Sequence, residues 1–305
     1  MARLLDYDNK DARNVKLSIP KHVKWAFNKE FFSEISNVEG SSFEFNYLFA
    51  ENDFATNDLK YAIRKTITDL YTKGEMPLSI CISGADSEII ARETAVLGIP
   101  FELYFLNIWD INAKARKMAQ DLASELNVKL NIITLTKEEA FDSVLEKNYR
   151  NLQAEKPTYL CLPYLLERIP FNTYIIGGEG DPQKSGVDYE PLANSDGTYN
   201  GIPISITEVY YRQWALVNHR ACEMYFYAAS PLLLKSYFNH PLMIKENKRI
   251  DTRNLVNTLW PKLTFSYKTT NWEDSLESNR EVRMHMRSMN KNKYRNLPIT
   301  CLVDI

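Results

Sequence analysis

The sequence has little of what the commonest site chemistries require. Its four histidines (His22, His219, His240, His285) never fall two or four positions apart, so no paired metal ligands are spelled out. Its four cysteines (Cys81, Cys161, Cys222, Cys301) are scattered. That excludes a disulfide framework and a cysteine-rich zinc site, and it suits a reducing compartment. G-x-G-x-x-G is absent, and so is a loop ending in Gly-Lys-Ser/Thr, which leaves neither a Rossmann fingerprint nor a Walker loop. No apolar run approaches the roughly 18 residues that span a bilayer. The opening "MARLLDYDNKDARNVK" has no apolar stretch after its basic residue, so no secretory signal is expected. One-sided charge is lacking too. Lys and Arg total 37 against 39 Asp and Glu, a net charge of -2, which gives no general attraction to nucleic acid or to an acidic membrane. A soluble, cytoplasmic protein is expected.

What is present is a 305-residue chain, 45% hydrophobic and 12% aromatic, enough for a substantial core. Leu59, Ile63, Ile67 and Leu70 recur at helical spacing, capped by Asn57 or Asp58 and ended by Gly74. Strands are predicted over 77–82, 101–108, 128–135 and 172–178. Helices alternate with them: 86–97 closed by Gly98, 112–126, one opened by a Thr136–Glu139 capping box, and one around Pro163. Such alternation predicts an α/β fold with a doubly wound parallel sheet, whose ligands bind at the carboxyl ends of the strands. The loops 83–88, 107–112 and 177–184 therefore matter most.

The expected organisation is an N-terminal extension (1–56) with a weak strand at 42–49, then an α/β core (57–185). A C-terminal region (186–305) follows, with a lid-like loop at 186–203 and mostly helices beyond, including 221–238. The basic stretch "REVRMHMRSMNKNKYR" (280–295) reads first as a solvated helix face and second as a contact surface for a protein partner or nucleic acid.

"CISGADSEII" (81–90) joins the first parallel strand to a helix. Backbone N–H groups at such a helix start can hold phosphate without a basic side chain. Ser83 and Ser87 can donate hydroxyl hydrogen bonds, and Gly84 allows an approach that a Cβ would block. Asp86 can cap the helix or hold a magnesium ion. A plain capped turn has the same composition. No histidine is placed to activate either serine as a nucleophile.

The segment resembles the pyrophosphate loop of the ATP pyrophosphatase superfamily, S-G-G-x-D-S, with one residue fewer between Ser83 and Asp86. "IIGGEGDPQK" resembles the later G-E-G-A-D-E loop of asparagine synthetases, again one residue shorter, through Gly178, Glu179, Gly180 and Asp181. The resemblance covers about residues 57–240. It implies an adenine nucleotide alpha hydrolase-like domain that binds ATP and magnesium. By that resemblance Ser83, Gly84, Ala85, Asp86, Ser87, Gly178, Gly180 and Lys184 bind the nucleotide, and backbone near Leu106 and Asn107 meets adenine. Asp86, Glu179, Asp181 and Lys268 serve catalysis, with Asp86 and Asp181 on the metal. The glutaminase domain of asparagine synthetases has no expected counterpart within residues 1–76. Compact synthetase-like proteins of this kind occur in bacterial viruses, which implies a phage origin and a host cytoplasm. The implied reaction is adenylylation of an unidentified small-molecule acceptor with release of pyrophosphate. The alternatives are a catalytically degenerate nucleotide-binding or protein-interaction module, with a homo-oligomer or protein partner, and a base- or nucleoside-modifying enzyme.

Overall fold

The computed structural model describes residues 56–109, 111–145, 147–148, 157–178, 220–238, 240–242, 249–265 and 279–292. It also describes strands within 17–49 and at 199–204, and single positions 211, 215, 218 and 276. In the N-terminal part β1 (Leu17–Ser18) pairs antiparallel with β4 (Glu34–Ile35). Strands β2 (Val23–Phe27), β3 (Glu30–Phe32) and β5 (Glu44–Phe49) form an antiparallel sheet with β10 (Tyr199–Ile204), in the order β10-β5-β2-β3. The end of the stretch expected to be a lid-like loop is thus a strand paired with β5.

The main sheet holds β6 (Leu78–Cys81), β7 (Phe101–Ile108), β8 (Leu130–Leu135), β9 (Tyr174–Gly177) and β11 (Cys222–Glu223). All pair in parallel, in the order β11-β9-β6-β7-β8. The four residues of β6 are all buried, as a central strand covered on both faces requires. The chain leaves β6 for β7 and β8 on one side and returns to β9 on the other. The topological switch therefore lies at the carboxyl end of β6, where the loop 82–84 emerges. This is an α/β fold with a doubly wound parallel sheet.

Helix α1 (Leu59–Gly74) buries Leu59, Ile63, Ile67 and Leu70, and the Tyr61 amide donates to Asp58 Oδ1 at 3.0 Å. Its left-handed cap is Glu75 (φ 51); Gly74 is the last helical residue, and the Tyr174 ring packs where a Cβ on it would stand. Helices α2 (Ala85–Val96) and α3 (Ala113–Leu126) connect the next strands. After β8, Thr136 and Glu139 form the expected reciprocal cap, and the single turn Lys137–Glu139 passes into a π-helical Ala140–Val144. Helix α4 (Pro157–Leu166) carries Pro163 within it.

The segment 221–238, expected to be helical throughout, instead begins as β11. A 3₁₀ turn (Phe226–Ala228) and α5 (Pro231–Phe238) follow. Helices α6 (Arg249–Leu259) and α7 (Arg280–Asn292) complete the described chain. Among the described residues no helix is long and apolar enough to cross a membrane.

Candidate functional site

The last rung of β6 is the Ile82 amide donating to Tyr104 O at 2.9 Å. The chain then turns through Ser83 and Gly84, and the first bond of α2 runs from Glu88 N to Gly84 O. The earlier first-turn amides precede the helical ladder, as at any helix start. Ser87 is buried, and its Oγ organises the turn. It accepts from Ser83 N at 3.0 Å and Gly84 N at 3.2 Å, and donates to Gly84 O at 3.0 Å. Two successive amides thus converge on one oxygen, the arrangement that elsewhere holds an anion. Gly84 is the extended N-cap (φ −163), and a Cβ there would meet nothing within 4 Å. Its smallness serves open space beside the turn, since its backbone conformation suits any residue. Asp86 lies half-buried in the first turn rather than at the cap, and its carbonyl accepts from Tyr227 Oη at 3.3 Å.

Gly178, at the end of β9, meets the first loop. A Cβ on Gly178 would lie 2.6 Å from Ser87 N and 3.0 Å from both Asp86 C and Ser87 Cα. The end of β9 therefore packs backbone against the first turn of α2. Between β6, β7 and β9 lies a cleft lined by Ile82, Ser83, Leu106, Leu165, Gly178 and Met224. Of the expected site residues, Ser83, Leu106 and Gly178 line this cleft, and Gly84, Ala85, Asp86 and Ser87 form the turn beside it. Asn107 is buried and engaged with Thr134 Oγ1 and with Arg116, each at 3.4 Å. Glu179, Gly180, Asp181, Lys184 and Lys268 lie outside the described residues.

Beyond the end of β6, strand β7 has backbone groups with no neighbouring strand on that side. The carboxamide of Asn112, at the N-cap of α3, takes two of them. Its Nδ2 donates to Leu106 O at 2.7 Å, and its Oδ1 accepts from Ile108 N at 2.9 Å. A donor and an acceptor side by side are also what the N6–N1 edge of adenine presents. Trp109 follows with φ 31, a left-handed conformation that a bulky residue adopts only under constraint.

The flank of α2 is fixed by carboxylates. Glu88, fully buried, accepts from Thr264 N at 2.7 Å and Phe265 N at 2.6 Å and pairs with Arg92 at 2.8 Å. The Glu125 carboxylate, with Glu88, holds the Arg92 guanidinium well above its usual pKa. Glu93 accepts from Trp260 Nε1 at 2.7 Å and Arg64 Nε at 2.6 Å. Segment 260–265 is thereby pinned to the helix that carries the turn. Among the described residues no three His, Cys, Asp or Glu side chains gather as a metal cage. A single carboxylate beside bound phosphates suits magnesium, which usually keeps several waters.

Sequence reasoning missed Asn112, Tyr227 and Glu88. The first carries a legible signal, an Asn at the start of a helix after a strand.

No protein-family model matches the chain, and no curated protein matches it. Among solved structures it is similar to an NMN synthetase from Francisella tularensis, with 13% identity, a TM-score of 0.39, and coverage of 80% of this chain and 96% of that one. It is also similar to an NH3-dependent NAD synthetase from Campylobacter jejuni in complex with nitrate, with 14% identity, a TM-score of 0.36, and coverage of 79% and 96%. Likenesses this distant carry no argument about activity. The strand order itself defines the class, an α/β protein with a doubly wound parallel sheet.

Proposed function

We propose that the chain is an ATP-using, adenylylating synthetase that holds nucleotide phosphates at the 83–87 turn. The observation that carries this reading is the backbone contact of Gly178 with Ser87 at the switch point of the sheet. It sets Gly178 against a helix N-terminus, whose dipole favours an anion. The open space at Gly84 leaves room beside that turn. Asp86 would hold magnesium there, and Asp181 would add a second carboxylate. In the reaction an acceptor oxygen attacks the α-phosphorus of ATP, the bond from Pα to the α,β-bridging oxygen breaks, and pyrophosphate departs, its charge to be offset by the magnesium that Asp86 would hold. Ammonia or another nucleophile then displaces AMP.

The test is ATP–pyrophosphate exchange across a panel of carboxylate and amide acceptors, beside calorimetry with ATP and magnesium. Exchange that Asp86→Ala abolishes supports the reading. Absence of ATP binding at millimolar nucleotide ends it.

A second reading rests on a specific observation. The Ser83 and Gly84 amides are already bonded to Ser87 Oγ, and Leu106 O and Ile108 N to Asn112. A chain whose recognition groups satisfy one another is suited to a module that no longer turns over ATP. Stoichiometric binding of a protein partner without any exchange would favour it.

A further inference from the structure

Helix α7 presents a buried face and an exposed one. Val282 and Met286 are buried in the core, and His285 meets the Phe141 ring edge-on at 5.0 Å. Glu281 pairs with Lys137 at 2.7 Å, which ties the start of the helix to the turn that leaves β8. The helix therefore lies firmly on the carboxyl-edge side of the sheet. Arg280, Arg283 and Arg287 are all exposed. At about 100° per residue they fall within roughly 60° of one another, and their centre lies about 110° around the helix from the midpoint of Val282 and Met286 and nearly opposite His285. Among the described residues none of the three guanidiniums pairs with a carboxylate, although seven other Lys or Arg side chains do, including Arg92 and Lys137. Met284, 59% exposed, stands beside them.

We propose that this arginine stripe is a docking surface for a nucleic acid, held through its phosphates. Guanidinium forks match phosphate oxygens in a bidentate way that a lysine cannot. Spacing agrees as well. Seven residues at about 1.5 Å rise span about 10.5 Å, a length over which one strand of a duplex carries about three phosphates. A membrane fits poorly, because an interfacial helix must insert its apolar face, and here that face is already covered by the protein. Overall charge is nearly balanced, so the attraction is local to this helix. The proposal does not depend on the nucleotide site.

The test is fluorescence anisotropy of the full chain with labelled 20-nucleotide single strands and hairpins, as RNA and DNA, from 50 to 200 mM salt and without ATP. The comparison is Arg280→Gln/Arg283→Gln/Arg287→Gln, with a triple Lys variant that keeps the charge. Loss of three phosphate contacts removes about 2 from the salt slope for a single strand, so over that fourfold range wild-type affinity should fall about 16-fold more steeply than that of the Gln variant. The Lys variant should retain most of the slope. Melting temperature and ATP calorimetry on the same variants separate this outcome from misfolding and from failure of the nucleotide reading. The proposal is overturned if wild type binds no nucleic acid at 50 mM salt, or if the Gln variant keeps the wild-type slope. It is equally overturned if poly-glutamate or phosphatidylserine vesicles bind the stripe more tightly than either nucleic acid.

Discussion

Gly178 and Ser87 touch backbone to backbone: a methyl group on Gly178 would stand 2.6 Å from the Ser87 nitrogen. No flexible side chain lies there to move aside. Gly178→Ala should therefore separate the end of β9 from the turn of α2 and cost about 1–3 kcal/mol in urea unfolding, the range of an overpacked core. Unchanged stability would mean that the two segments are not held together.

Gly84 predicts the opposite pattern. A Cβ there meets nothing within 4 Å and the backbone is extended. Gly84→Val should cost no more than about 1 kcal/mol, the difference between glycine and an aliphatic residue at a helix N-cap. ATP affinity measured by calorimetry should fall at least about tenfold, or about 1.4 kcal/mol. Equal affinity in the two proteins would place the phosphates elsewhere.

These two glycines show what sequence can and cannot convey. Leu59, Ile63, Ile67 and Leu70 announce α1 because one helical face faces the core, and Thr136–Glu139 announces its cap because both partners are local. The parallel sheet was legible for the same reason. Strand β11 was not, since Cys222–Glu223 is too short to show any period. Glu88 was invisible because its partner Phe265 lies 177 positions away. The loops at 83 and 178 could be singled out by composition, but that one needs glycine for contact and the other for space is a property of their meeting.

Glu88 should be among the costliest residues to remove. It is fully buried, and its carboxylate receives two backbone amides and Arg92. Glu88→Ala should lower stability by about 3–5 kcal/mol, the cost of breaking a buried ionic contact from one side. Because Trp260 lies in the pinned segment, its fluorescence should report release of residues 260–265 in the same variant. A loss below about 1 kcal/mol would show that the segment stays in place without this clasp.

Alkaline pH should act through two buried groups. Burial pushes the Cys161 thiol up from 9.0 to about 12, and burial with the nearby Glu102 carboxylate raises Tyr104 from 10.0 to about 12. Both hold their protons longer folded than unfolded, so the unfolded state is favoured as pH rises. Stability should be unaffected by them below about pH 8, begin to fall near pH 9 as Cys161 is engaged, and fall more steeply past pH 10 as Tyr104 joins it. Cys161→Ala should remove the part of the slope that begins near pH 9. A profile flat to pH 11 would contradict the burial of both groups.

Asn112 supplies the most discriminating test. Its carboxamide covers Leu106 O and Ile108 N at the edge of the candidate cleft. Asn112→Ala uncovers both, and two unsatisfied backbone groups should cost about 1–3 kcal/mol. Water reaches an open cleft, which places the expected loss at the lower end. If those groups are where an adenine edge binds, the variant has lost stability but also a competitor for them. Saturating ATP should then raise its melting temperature by more than it raises that of wild type, because a ligand that binds only the folded state stabilises by an amount that grows with the logarithm of its affinity. GTP, whose base presents an acceptor where adenine presents its N6 donor, should not share the gain. Equal stabilisation of variant and wild type by ATP would mean that the base lies elsewhere and that Asn112 only closes the turn between β7 and α3.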